Sequence, residues 1–326
     1  LGPGTANLRI RRTRTAPAGD RAAFRFAFFA DTGLIGRLDG NANGTAAVYA
    51  ALAAAEPLFL LGGGDYAYAN KDGRFASIPA AIDEWFRQAA PLLERFPLYA
   101  QYGNHECILK EHVEDWSGRF THPPGFDGDR SYSFAIGGVH FSMLFMPDID
   151  SFLPSHARWL DEDLAKARRA GAVRLVVVQH EPIYGHGRSH PARPIIRETL
   201  VPILERHRVD LHLSAHDQNY ERTYPLTHRA ENGGRVPVVG SQDRCQYPDW
   251  TGVVYAKISP SGKMSEIGNG FSRFTVGQQA FVAHRDDTAH HYAIVDVSTD
   301  ARITVRVHRL LPHETEPSLE DEFHLG

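Results

Sequence analysis

The chain has 326 residues, 42% of them apolar and 23% charged, which suits a globular protein with a sizeable core. A net charge of -4 argues against the basic field of a nucleic-acid module, and no apolar run reaches the ~18 residues of a membrane span. Two cysteines, Cys107 and Cys245, are too few for a disulfide framework; the unusual count is 18 histidines, several of them in loops after apolar runs.

Residues 5–20 are polar and rich in Arg and Pro, and read as an edge strand and a loop; Arg11, Arg12 and Arg14 form a local basic exception assigned to solvated strand or linker. Phe24 to Ala30 (FRFAFFA) reads as a buried strand that ends at Asp31-Thr32-Gly33. A loop over Gly36 to Asn43 precedes an Ala-rich helix from Thr45 to Ala55. The short apolar run Leu58 to Leu61 then enters Gly62-Gly63-Gly64-Asp65-Tyr66-Ala67-Tyr68, a sharp turn carrying one carboxylate and one phenol. Ile82, Trp85, Phe86, Ala89, Leu92 and Leu93 recur at helical spacing and predict a helix over Ile78 to Leu93. Pro97 to Ala100 is a further short strand, running into Gly103-Asn104-His105-Glu106.

Beyond a Gly/Pro-rich loop over Gly118 to Asp129, Ser131–Ala135 and Val139–Met146 read as antiparallel strands joined at Gly137-Gly138. Ser155 is assigned as the N-cap of a helix through Trp159, Leu160 and Leu164, closed by Gly171. The β-branched run Val173 to Val178 ends at Gln179-His180-Glu181-Pro182. A helix from Pro194 to His207 leads to a strand over Val209 to Leu213, which ends at Ser214-Ala215-His216-Asp217-Gln218. The remainder is β-rich: Val236–Val239, Val253–Ile258, Tyr292–Val297 and Ile303–Arg309, the last two a hairpin across Ser298 to Ala301. No repeat, low-complexity tract or clear linker interrupts the chain, so residues 23–326 read as one domain, preceded by an edge strand or linker over residues 1–22.

Five strand ends therefore carry chemistry: Asp31, Asp65 with Tyr68, Asn104 with His105, His180, and His216 with Gln218. Singly each has a simpler reading: a helix cap for Asp31, a core aromatic for Tyr68, an Asx turn for Asn104, satisfied polar groups for the histidines. Jointly they place ligand-type groups on one edge of a sheet, where open α/β folds bind their ligands. Mixed oxygen and imidazole donors suit first-row transition metals, and a central carboxylate can bridge two ions.

The order D-x-G, G-D-x-x-Y, G-N-H-E, H-x-P-x-Y and A-H-x-Q-x-Y-E-R, from about Phe24 to Pro225, strongly resembles the calcineurin-like metallophosphoesterases, specifically the purple acid phosphatases. The resemblance implies an α/β fold, a sandwich of two mixed sheets flanked by helices. It implies two metal ions, iron paired with zinc, manganese or a second iron. Asp31 and Tyr68 would bind the first ion, Asp65 would bridge, and Asn104, His180 and His216 would bind the second. A metal-bound water or hydroxide would attack phosphorus, with His105 as proton donor to the leaving group. His186, Arg188 and His190, in the loop after the His180 motif, are candidate phosphate contacts, with a polar loop as the equal alternative. Glu106 is read as orienting His105 or as a surface residue, and Tyr220, Glu221 and Arg222 as holding the loop together. The implied substrate is a phosphorylated small molecule or phosphoprotein, and the implied setting is secreted or periplasmic.

Two departures from the family pattern stand out. Gln218 occupies the position of a family histidine that would complete the first ion's shell, and an amide oxygen is a poorer donor, so the Asp31/Tyr68/Gln218 site is expected to be the weaker. Larger members carry a β-sandwich domain ahead of the phosphatase domain, and Arg12 to Pro17 resembles its tail. The leading reading is a metal-dependent phosphomonoesterase. The alternatives are a phosphodiesterase or nucleotidase on the same site, and a degenerate member that binds metal or phosphorylated ligand with little turnover.

Overall fold

The computed structural model describes residues 14–17, 19, 21–37, 42–107, 112–146, 149–231, 234–265, 267–275, 277–312 and 314–326. Arg11, Arg12 and most of the N-terminal strand expectation lie outside these residues, and residues 14–17 are not in a strand.

Two seven-stranded mixed sheets pack face to face with helices on their outer faces, an αββα sandwich. In the first sheet Phe24–Phe29, Phe59–Gly62 and Leu98–Ala100 run parallel, and His290–Val297, Ile303–Leu310, Ser318–Leu325 and Gln246–Tyr247 extend it on the other side. In the second, Val139–Met143, Arg174–Val178, Leu211–Ser214 and Val254–Lys257 run parallel, flanked by Tyr132–Ile136 on one edge and by Tyr220–Thr223 and Val282–Asp286 on the other.

The Phe-rich first strand reads as a continuous apolar run because both of its faces are covered. Phe24, Phe26 and Phe28 point into the sandwich, where Phe26 stacks on Phe59 and meets the edge of Phe141. Ala27 and Phe29 point the other way, into the layer under helices Thr45–Ala54 and Ile78–Leu93. Leu175 and Val177 do the same beneath helices Ile149–Arg169 and Pro194–Arg206. Period-two alternation thus fixes register on two buried faces at once.

The helix assigned to begin at Ser155 begins at Ile149, so Ser155 is interior rather than a cap. Cap preference is a local bias that tertiary packing overrides. Tyr220–Thr223 and Ser318–Leu325 are strands that hydropathy did not mark.

Arg222 explains both. It is 1% exposed, donates from Nε to Asp321 at 2.7 Å and from Nη1 to the Tyr247 hydroxyl at 2.9 Å, and lies over the Phe323 ring. One cation thereby joins the next-to-edge strand of one sheet to the C-terminal strand of the other. Arg222→Met is expected to destabilise the fold by about 3 kcal/mol, because it strands the Asp321 carboxylate. Urea unfolding checks this; a variant with wild-type stability would make the ion pair energetically idle.

Candidate metal centre

Because the parallel strands of both sheets share a direction, their C-terminal turns meet at one edge of the sandwich. The turns are stitched together by main chain: Asp31 N–H donates to Gly64 O, Thr32 N–H to Asp65 O, and Ala215 N–H to His180 O. Gly64 (φ +94°) and Gly103 pass so close that a Cβ on Gly64 would strike the Gly103 backbone. Asp31, Asp65, Tyr68 and His216 all hold left-handed backbone (φ 52°, 55°, 51° and 73°), a conformation that costs energy in non-glycine residues and clusters at functional sites.

Four candidate donor atoms converge. His180 donates Nδ1–H to Gly63 O at 2.7 Å, which turns its Nε2 inward. That Nε2 lies 3.1 Å from Asn104 Oδ1, 3.3 Å from Asp65 Oδ2 and 3.2 Å from His216 Nδ1; the last is 2.8 Å from Asn104 Oδ1. Ligands at about 2.1 Å around a tetrahedral ion sit roughly 3.4 Å from one another. The donor set and its spacing therefore fit a first-row metal, and among the described residues Asp65, His180 and His216 form the group able to hold one.

Charge in the site follows. Burial alone would push the Asp65 carboxyl up, but the charge of His180 and its hydrogen bond hold it well below the usual range. His180 is the mirror image: burial disfavours its proton, and the Asp65 charge retains it above the ordinary imidazole range. Asp31 is pushed up to about 6, first by burial and then by Asp65.

The Asp31 half is built differently. Asp31 Oδ1 accepts the Tyr68 hydroxyl at 2.6 Å, and Oδ2 accepts Ser259 Oγ–H at 2.8 Å and His216 N–H at 3.1 Å. Burial, then the Asp31 and Asp65 charges, keep the Tyr68 phenol protonated well above its ordinary range. Gln218 gives its carbonyl to Ser265 N–H at 2.8 Å and turns its amide N–H to the Tyr68 hydroxyl at 3.0 Å. It presents a hydrogen, not a lone pair, so this half does not fit a metal as the other does.

His105 lies beside the ligands, its main-chain N–H on Asp65 Oδ1 at 2.9 Å and its Nδ1 on Asn70 Oδ1 at 2.9 Å. Its ring packs against Tyr68, centroids 4.3 Å apart, leaving Nε2 as the nitrogen available to a leaving group. Burial pushes its pKa down to about 4, against the opposing charge of Asp65.

Of the three candidate phosphate contacts, His190 reaches the cleft, its ring 4.7 Å from that of His216. His186 is instead buried on Glu221 (Nδ1 to Oε1, 2.6 Å), and Arg188 donates to Asn269 at 2.7 Å; neither lines the cleft. Two cations that do line it, Lys71 and Lys263, were missed. Lys71, three residues past Tyr68 in the same turn, was open to a sequence reading; Lys263 arrives from a distant strand and was not. Glu106 neither orients His105 nor lies at the surface: fully buried, it accepts main-chain N–H groups from Asp65, Tyr66 and Gly103 at 2.7, 2.9 and 2.8 Å.

Among known proteins, residues 24–220, more than half of the chain, match the calcineurin-like phosphoesterase family model. Purple acid phosphatase 23 of Arabidopsis thaliana is 30% identical over 236 residues, covering 64% of this chain and 50% of that protein. Acid phosphatase type 7 of Homo sapiens is 28% identical, covering 53% of this chain and 42% of its own. The chain thus spans about half the length of the curated relatives it matches. Among solved structures, purple acid phosphatase PPD1 from yellow lupin (Lupinus luteus) seeds superposes with a TM-score of 0.76 at 16% identity, over 95% of this chain and 55% of that one. PhoD gives 0.63 at 13% identity, over 95% and 71%. With ligand-bearing turns, fold and sequence in agreement, the chain belongs to the calcineurin-like phosphoesterase family, with purple acid phosphatases among its relatives.

Proposed function

We propose that this protein is a metal-dependent phosphomonoesterase. The observation that carries the reading is the convergence of Asp65, Asn104, His180 and His216 on one point, with His105 beside it in the same cleft. A metal ion bound there would supply Lewis acidity at the phosphoryl oxygens and acidify a water toward neutral pH. Asp65, Asn104, His180 and His216 would hold the ion, and the His180 tautomer is fixed by Gly63 O. As an imidazolium, with Nδ1–H on Asn70 Oδ1, His105 would give its Nε2 proton to the departing alkoxide; with its pKa lowered to about 4 that form belongs to acid solution, and its ring is held in place by Asn70 and Tyr68. Lys71 and Lys263 on the cleft wall favour a dianionic monoester over a monoanionic diester. The resemblance to purple acid phosphatases favours iron, zinc or manganese as the metal and a secreted or periplasmic setting; elemental analysis and cell fractionation check each.

Metal analysis of the purified protein beside an aryl phosphate assay tests the reading as a whole. Turnover should depend on added metal and be faster for an aryl monoester than for the matching diester. No metal uptake, with no metal-dependent thermal shift, would sink it; faster diester hydrolysis would move it to the phosphodiesterase class.

His105→Ala is expected to leave metal content intact and slow turnover by about 10²–10⁴-fold, most for alkyl phosphates with poor leaving groups. Equal slowing of aryl and alkyl substrates would remove the proton-donor role.

A further inference from the structure

The geometry points to a single-ion centre in which the ammonium of Lys263 stands in for the second metal. This rests on the phosphoesterase reading above and deepens it. In the Asp31 half, both carboxylate oxygens are already engaged among the described residues, by the hydroxyls of Tyr68 and Ser259 and the main-chain N–H of His216. Gln218 cannot turn its oxygen inward without setting its amide hydrogens against Ser265 N–H, a donor facing a donor.

A cation stands beside this half. Lys263 is 6% exposed, its main-chain N–H bonded to Asp31 O at 3.0 Å, its strand Lys263–Met264 paired with Ala42–Asn43. Its Nζ donates to Ser265 Oγ at 2.7 Å and sits 4.8 Å from the centroid of the Tyr68 ring. The Arg37 guanidinium stands 5.4 Å from the same ring, its Nη1 on the carbonyls of Ala67 and Tyr68. A metal ion bound by Asp31 and Tyr68 would share the surroundings of the Tyr68 ring with both cations, that of Arg37 partly balanced by Asp72 at 3.9 Å. Lys263 also lines the cleft with Asp65, Asn104 and His105, which puts a cation on the wall that a phosphoryl group would meet. The ligand this site takes is a phosphate monoester dianion held between one divalent ion and one ammonium.

Titration calorimetry and elemental analysis of the whole chain with Mn²⁺ or Zn²⁺ test the assignment. Wild type is expected to saturate at one ion per chain, and Lys263→Met combined with Gln218→His at two. Loaded with ferric iron, the double variant should show the visible phenolate-to-iron band that wild type lacks. In the one-ion form, the Kd for inorganic phosphate should weaken about tenfold in Lys263→Met and recover in Lys263→Arg. Two ions or a phenolate–iron band in wild type overturns the proposal. So does a double variant that stays at one ion, or phosphate affinity indifferent to Lys263→Met. One ion per chain with no turnover of any phosphate ester would overturn the hydrolytic reading and leave the single-ion assignment standing. A chain that takes up no metal overturns both.

Discussion

Asp65→Asn is expected to abolish metal retention and lower kcat/KM for an aryl phosphate by about 10³-fold or more, without unfolding the protein. Several kilocalories per mole of transition-state stabilisation leave with the ion, and each ~1.4 kcal/mol is a factor of ten. The isosteric amide keeps its oxygen on His105 N–H, where Asp65 Oδ1 now sits at 2.9 Å. Its NH₂ then faces His180 Nε2, the partner of Asp65 Oδ2 at 3.3 Å, and consumes the lone pair a metal needs. Two buried carboxylates, Asp31 and Asp65, also cease to repel one another; burial and that repulsion are what push Asp31 up to about 6. His180 loses its ion-pair partner in the same change, so the metal-free variant should melt somewhat below metal-free wild type while remaining folded. Wild type at a metal concentration of a hundred times Kd gains about 2.7 kcal/mol from binding, and the variant should gain none. Metal content, turnover and thermal shift measured together check this. A variant that holds metal and turns over at the wild-type rate would remove Asp65 from the centre.

The turns that carry the candidate ligands were legible because they follow strands buried on both faces. Phe24–Phe29 and Arg174–Val178 read as short apolar runs, and what interrupts each run is a polar residue at the sheet edge where ligands bind. Tyr220–Thr223 (YERT) was not legible as a strand, because its polar residues are buried against partners far along the chain. Glu221 takes His186 and Arg222 takes Asp321, and no local pattern announces either pairing. Lys263 was invisible for the same reason. A lysine in a C-terminal loop gains meaning only once its strand pairs with Ala42–Asn43 and brings it over Tyr68. Gln218 was conspicuous as a departure from a motif, but which end of its amide faces the site depends on Ser265 N–H, a contact no motif contains.

Glu106→Ala should damage stability and site together, at a cost of about 4–6 kcal/mol. Its carboxylate accepts three main-chain N–H groups, two from the Asp65–Tyr66 turn and one from Gly103. Each is buried, and each orphaned donor costs about 1–3 kcal/mol. These bonds also set where Asp65 and Asn104 stand, since Glu106 clamps the turn carrying one to the turn carrying the other. The loss should therefore appear in metal affinity as well as in unfolding. Glu106→Gln separates the two effects. One amide oxygen can still accept, while the NH₂ meets an N–H it cannot bond, so stability should fall by less and metal affinity by about 10–100-fold, as for other groups that orient a metal's ligands. Urea unfolding of the metal-free proteins, followed by metal titration of each, decides it. If Glu106→Gln binds metal as wild type does while still losing stability, the clamp serves the fold alone. If neither quantity moves, the turns hold their places without it.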